Sequence, residues 1–189
     1  MTCMAGRRTD ARGRMVVAAR QLFREQGYHA TALSDVLKLS EAPRGSVYFH
    51  FPGGKAELAA EAAGHHVREQ LDFIKQATED ATSPADLARA YVDLARQNLV
   101  ASDYQQGCTL APLVIESARG TNELDGLGRR GFVAITEALA AGFEALGLEA
   151  DAARQFANAV LAGTEGALIT ARALRSPAPF DSVLAVLTA

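Results

Sequence analysis

Thr31–Phe51 reads TALSDVLKLSEAPRGSVYFHF, and this stretch decides the fold. Leu33, Val36, Leu37 and Leu39 fall at helical spacing, with Thr31 placed as the cap of a short helix. Ser40-Glu41-Ala42-Pro43 is a short turn, and a proline suits the first turn of a helix, where its missing N–H is no loss. The helix that follows is brief, from about Pro43 to His50. Two short helices across such a turn make a helix-turn-helix, whose second helix can lie in the DNA major groove. Arg44, Ser46, Tyr48 and His50 all carry donors for phosphates or base edges. Gly45 lets the backbone approach closely, while Val47 and Phe51 face inward as anchors. Lys55, at the start of the next helix, is placed to pair with a phosphate.

Outward from this motif the chain reads as all-α. Alanine is abundant and no Val/Ile/Thr-rich alternation appears. A first helix is expected from Asp10 to Gln26, with Val16, Ala19, Leu22 and Phe23 on one face and Gly27 as its stop. Pro52-Gly53-Gly54 breaks the chain before a long helix from Lys55 to Thr78. Ser83-Pro84 reads as cap and first-turn proline of the next, which runs to Ala101. The polar stretch from Ser102 to Gly107 is a loop, and a short helix covers Leu110 to Arg119. Two long helices follow, Asn122 to Leu146 and Asp151 to Arg175, then a break at Ser176-Pro177-Ala178-Pro179 and a terminal helix from Asp181 to Leu187. The expected division is a helix-turn-helix domain over 1–54 and a second helical domain over 55–189.

The net charge of −3 is unevenly spread: residues 1–55 hold nine basic and four acidic side chains, a net +5, which leaves −8 for the rest. A basic head on an acidic body fits one part meeting phosphate and the other not. Arg7 and Arg8, ahead of the first helix, fit a flexible arm toward the DNA backbone or minor groove. No apolar run is long enough to cross a bilayer, and the start lacks the apolar core of a secretory signal. Cys3 and Cys108 are too few for a disulfide framework, so a cytoplasmic setting is expected, without membrane association.

The head resembles that of the TetR/AcrR family of regulators. The family pattern is an apolar helix ending LF…G, then T…(I/V), then G-(S/T)-(L/V)-Y-x-H-F, then K-x-x-L. The chain supplies Leu22-Phe23, Gly27, Thr31, Val36, Gly45-Ser46-Val47-Tyr48-Phe49-His50-Phe51 and Lys55-Ala56-Glu57-Leu58. The Phe51-Pro52-Gly53-Gly54-Lys55 junction and the later Gly107-Cys108-Thr109-Leu110 step resemble the LmrA/YxaF-like subgroup. The resemblance implies a homodimer whose two heads read the halves of a near-palindromic operator, about one helical turn apart, roughly 34–36 Å. It carries DNA contact onto Thr31, Arg44, Gly45, Ser46, Tyr48, Phe49, His50 and Lys55. Thr31, Tyr48, His50 and Lys55 would bond phosphates, Arg44 and Ser46 base edges, and Phe49 a thymine methyl or a sugar. Glu41 in the turn is expected to point away from phosphate.

The resemblance further implies a small apolar or amphipathic effector held among the middle helices, whose binding moves the long helix from Lys55. Candidate lining residues are Phe73, Tyr91, Leu94, Asn98, Cys108, Leu110, Leu113, Ile115, Glu116 and Phe132. Glu116 stands in a largely apolar helix, as a polar anchor for a ligand or an exposed edge. In the last long helix Phe156, Val160, Gly163, Ala167, Ala171 and Leu174 recur at helical spacing, and this face is read as half of a dimer bundle with the Asn122–Leu146 helix.

An enzyme is the rival class, with Cys108 as nucleophile, but no histidine can be paired with it from sequence. His65, His66 and Glu69 offer too few ligands for a metal, and Gly53-Gly54-Lys55 is too short to cradle a phosphate. No cofactor is expected. A pure protein-interaction module leaves the donors on the short second helix of the motif without a purpose. Relatives imply repression, with activation the alternative.

Overall fold

The computed structural model of the chain describes residues 4–117, 124 and 126–188, with side chains from Ala11 onward. The described residues form helices α1 (Met4–Gln26), α2 (Leu33–Leu39), α3 (Ser46–His50), α4 (Gly54–Asp80), α5 (Pro84–Ala101), α6 (Ala111–Ser117), α7 (Leu127–Ala145), α8 (Ala150–Leu174) and α9 (Ala178–Leu187), and no strand. The all-α reading therefore holds. Helix α1 starts at Met4 and not at Asp10, so Arg7 and Arg8 stand within it and form no separate arm ahead of it, while their side chains, the end of α6 at Arg119 and a start of α7 at Asn122 lie outside what the structure describes.

Local chemistry explains most boundaries. Gly27, at φ 89°, takes the left-handed conformation that ends α1, and its N–H still reaches the Phe23 carbonyl at 3.1 Å. Ser83 caps α5 by accepting the Asp86 N–H at 3.2 Å, with Pro84 in the first turn, as the sequence led us to expect. α8 stops where Arg175 turns left-handed, at φ 48°. Helix α3 begins three residues later than expected, at Ser46 and not Pro43. Pro43 instead forms the turn, its carbonyl accepting both the N–H and the hydroxyl of Ser46.

Packing groups the chain into two compact units that differ from a single cut after residue 54. The first combines residues 1–66 with 109–129. Its core contains Met15, Phe23, Val36, Val47, Phe51 and Leu58, together with Leu110, Leu113 and Leu124 from the later segment. Each such fully buried side chain contributes about 1.5–3 kcal/mol through removal from water.

The second unit comprises residues 67–108 and 130–189. Here α5, α8 and α9 pack on one another around Leu87, Val92, Leu99, Val160, Ala171 and Phe180, all fully buried. Phe143 of α7 meets Phe156 of α8 with ring centroids 4.7 Å apart. Two ion pairs tie its surface, Arg96 to Asp181 at 2.9 Å and Arg175 to Asp103 at 2.7 Å. Among the described residues no helix is long and apolar enough to cross a membrane.

Candidate nucleic-acid interface

Helix α3 is too short to be stable alone, so its placement comes from its anchors. Val47 and, just beyond the helix, Phe51 are buried in the first unit. The guanidinium of Arg12 stacks over the Phe51 ring at 5.1 Å and pairs with Glu61 at 2.8 Å, which fixes the end of α3 between α1 and α4. With one face held, the other faces water. Tyr48 is 67% exposed and Phe49 73%, and the Phe49 ring meets His50 edge-on at 4.9 Å. Arg44 and Gly45 are exposed in the turn, and Ser46 and His50 are half-buried beside them. Six of the eight expected contact residues thus lie exposed or half-buried in the turn and on α3. Lys55, half-buried, is brought to a separate place on the turn after α1.

Thr31 is a correction. Its side chain is buried, its hydroxyl donates to the Gly27 carbonyl at 2.7 Å, and it accepts from Gln26 Nε2 at 3.3 Å. Nor does it cap α2, whose N-cap is Ala32, with the Asp35 carboxylate accepting the Ala32 N–H at 3.4 Å. In this conformation Thr31 fastens the turn and is not presented to phosphate. Glu41 lies close to α3. A hollow of about 460 Å³ lies beside α3, and Glu41 lines it with Arg14, Ser46, Phe49 and His50. The residue thus borders the hollow beside α3 and is exposed there.

Lys55 sits 4.4 Å from the centroid of the Tyr28 ring, with Nζ 3.4 Å from the His29 carbonyl. Burial lowers its pKa, and the negative charge of Glu116 acts in the opposite sense. Glu116 is therefore not found as a pocket anchor. One carboxylate oxygen accepts the Tyr28 N–H at 3.0 Å and the other accepts the His29 N–H.

The expected effector-lining residues divide between the units. Leu110 and Leu113 are buried in the first unit, while Phe73, Tyr91, Leu94, Asn98, Cys108 and Phe132 belong to the second. Asn98 and Ile115 are exposed and line no interior. Tyr91 and Cys108 are brought together, around a residue that the sequence reading missed. The Glu165 carboxylate accepts a hydrogen bond from the Cys108 thiol, and burial raises its pKa. Burial, then the charges of Glu165 and Cys108, pushes the Tyr91 phenol well above its ordinary range. The signal was present: Glu165 stands at the helical spacing of buried Leu161 and Leu168, a register where a carboxylate is out of place.

The expected dimer face is also corrected. Val160, Ala167 and Ala171 are buried within the second unit, and Phe156 packs on Phe143. A Cβ on Gly163 would come within 3.0 Å of Val183 of α9, so this glycine serves packing inside the chain. Only Leu174 of that set is exposed. Next to it runs a free stripe of small and apolar side chains, Ala159, Ala162, Gly166, Ile169 and Ala173, spaced three and four apart. Among the described residues no group of three or more metal-ligating side chains occurs.

Comparison with known proteins agrees with this geometry. Residues 16–62 match the family described as bacterial regulatory proteins, tetR family. Residues 84–186 match the C-terminal domain of LmrA/YxaF-like transcriptional regulators. The uncharacterized HTH-type transcriptional regulator Rv0196 of Mycobacterium tuberculosis is 37% identical over 183 residues, covering 91% of this chain and 89% of that protein. The HTH-type transcriptional regulator LmrA of Bacillus subtilis is 42% identical over 87 residues, 44% of each chain. In fold, the chain is similar to the regulatory protein TetR from Rhodobacter sphaeroides, with a TM-score of 0.84, 21% identity, and 94% and 97% of the two chains covered.

Proposed function

We propose, from the premise that this chain belongs to the TetR family of transcriptional regulators and carries an LmrA/YxaF-like C-terminal domain, that it is a repressor released from a near-palindromic operator by a small apolar or amphipathic effector. The chain is a DNA-binding transcriptional regulator. Regulators of this family are not enzymes, so Cys108 is not read as a nucleophile.

The observation that carries the DNA reading is the division of α3 into two faces. Val47 and Phe51 are spent on the core, and Tyr48, Phe49 and Arg44 are left in water, with the two rings uncovered among the described residues. In the proposed complex Tyr48, His50 and Lys55 bond phosphates, and Arg44 and Ser46 reach base edges. The homodimer is supported by the free stripe on α8, where small side chains permit close helix approach. Glu165 and Tyr91 are the polar anchors we assign to the effector. Cytoplasmic residence goes with this role.

The test is a selection of DNA fragments by the purified protein, followed by titration at several salt concentrations. Saturable binding to one near-palindromic segment that weakens steeply with salt is expected, because each phosphate contact releases counterions. Binding that neither saturates nor distinguishes fragments overturns the reading.

A further inference from the structure

The turn after α1 is held by a side chain far away in sequence. Glu116, in the last turn of α6, lies 88 residues from Tyr28 and 87 from His29, yet its two oxygens accept one backbone N–H from each. Bonds from N–H groups to a carboxylate are shorter and stronger than neutral ones. The turn is built for this group. Gly27 is left-handed at φ 89°, and a Cβ there would collide with a Glu116 oxygen. Any other residue at position 27 meets both backbone strain and the carboxylate.

What rests on the turn is part of the DNA-contacting machinery. Lys55 lies over the Tyr28 ring and reaches the His29 carbonyl, and the Glu116 charge acts on it. Thr31 closes the other end through its bond to the Gly27 carbonyl, and α2 starts two residues later. The carboxylate is thus the outermost support of a short relay, from Glu116 to the turn to Lys55.

We propose that Glu116 is a positioning residue for DNA binding, which seats Lys55 by clamping the Tyr28 and His29 amides and so makes operator affinity depend on where α6 lies. The proposal rests on the reading of the chain as an operator-binding regulator. In this proposal Glu116 acts through the turn, whose two amides it holds.

The experiment uses the full-length protein and the fragment that it selects, with E116A, E116Q, K55A and E116A/K55A. E116A weakens operator binding about tenfold, the loss of strong hydrogen bonds to a charged group. Exchange of the Tyr28 and His29 amides becomes faster. E116Q, which keeps one acceptor oxygen, recovers part of both, and reads the clamp if E116A fails to fold. In the K55A background E116A costs little more, because the two act in series. Unchanged or tighter binding by E116A overturns the proposal, and so do losses that multiply in the double variant. If wild-type protein selects no DNA, the regulator reading fails instead. The exchange arm still reads the clamp in free protein, and unchanged amide protection in both variants overturns it.

Discussion

Tyr48 combines a phenol hydroxyl with an exposed ring on a helix of five residues. Exposed, it adds nothing to the core, so Tyr48→Phe leaves the thermal midpoint unchanged. If the hydroxyl bonds a phosphate, the same change weakens binding to all DNA sequences about tenfold, as for a hydrogen bond to a charged acceptor. A filter-binding titration on operator and unrelated DNA checks this, and a loss confined to the operator would make Tyr48 a base reader. Glu41 argues the reverse. The residue lines the hollow beside α3 with Arg14 and His50, and a negative charge near phosphate repels it, so Glu41→Gln tightens DNA binding about two- to fivefold at low salt, and the gain fades as salt screens it. His66 supplies a pH test. Burial, then the charges of Arg20, Arg24 and His65, lowers its pKa to about 3. The folded protein therefore keeps this imidazole neutral while the unfolded chain protonates it below about 6.5. Its contribution is complete above that pH and is lost as pH falls toward 3, with a slope of at most about 1.4 kcal/mol per pH unit. Urea midpoints of His66→Gln measured at pH 7.5 and 4.5 should differ less than those of the wild type.

Helix α8 carries two glycines three residues apart with opposite duties. A Cβ at Gly163 would press on Val183, whereas one at Gly166 meets nothing within 4 Å. Gly166→Leu therefore leaves the protomer folded, and gains about 0.8–1 kcal/mol of helix propensity, but puts a large side chain on the proposed dimer face. Sedimentation should show monomers for Gly166→Leu at concentrations where the wild type is dimeric. Gly163→Leu, by contrast, should lower the thermal midpoint. A dimeric Gly166→Leu would move the interface elsewhere. The same helix shows what sequence can and cannot tell. Its length, its stop and its small-residue periodicity were legible. Which of two neighbouring small-residue stripes faces α9 was not, because alanine and glycine suit intrachain and interchain contacts alike. In α2 and α3 the reverse holds. Val36, Val47 and Phe51 were readable as anchors, since a large apolar side chain has one stable destination. Thr31 was misread because a hydroxyl at a helix start serves equally as cap, phosphate donor or turn fastener. Only the neighbouring Gly27 carbonyl decides.

At the scale of the whole molecule, sequence order and packing order differ. A cut after residue 54 follows the motif, but residues 109–129 pack with the head, and sequence alone gives no sign of a contact between positions 87 residues apart. Charge is distributed by a different logic. The chain is acidic overall although residues 1–55 carry +5, and much of the body's negative charge lies on exposed helix faces. Glu165 is the exception, a carboxylate among buried α8 neighbours with a raised pKa. Its sign is fixed by linkage: the folded state holds the proton more tightly than the unfolded chain. Glu165 thus favours folding below the ordinary carboxylate range, and that contribution is lost as pH rises through its elevated folded value. Glu165→Gln keeps the shape and removes the ionisation. The variant should match the wild type near pH 4 and exceed its stability at pH 7.5, read from urea midpoints. A half-buried carboxylate that accepts from the Cys108 thiol beside Tyr91 is a polar group ready for a donor, which is the argument for an effector anchor. An effector whose donor group meets this carboxylate should then release wild-type protein from DNA and fail to release Glu165→Gln. Equal release of both would leave Glu165 a packing residue and place the effector's polar contact elsewhere.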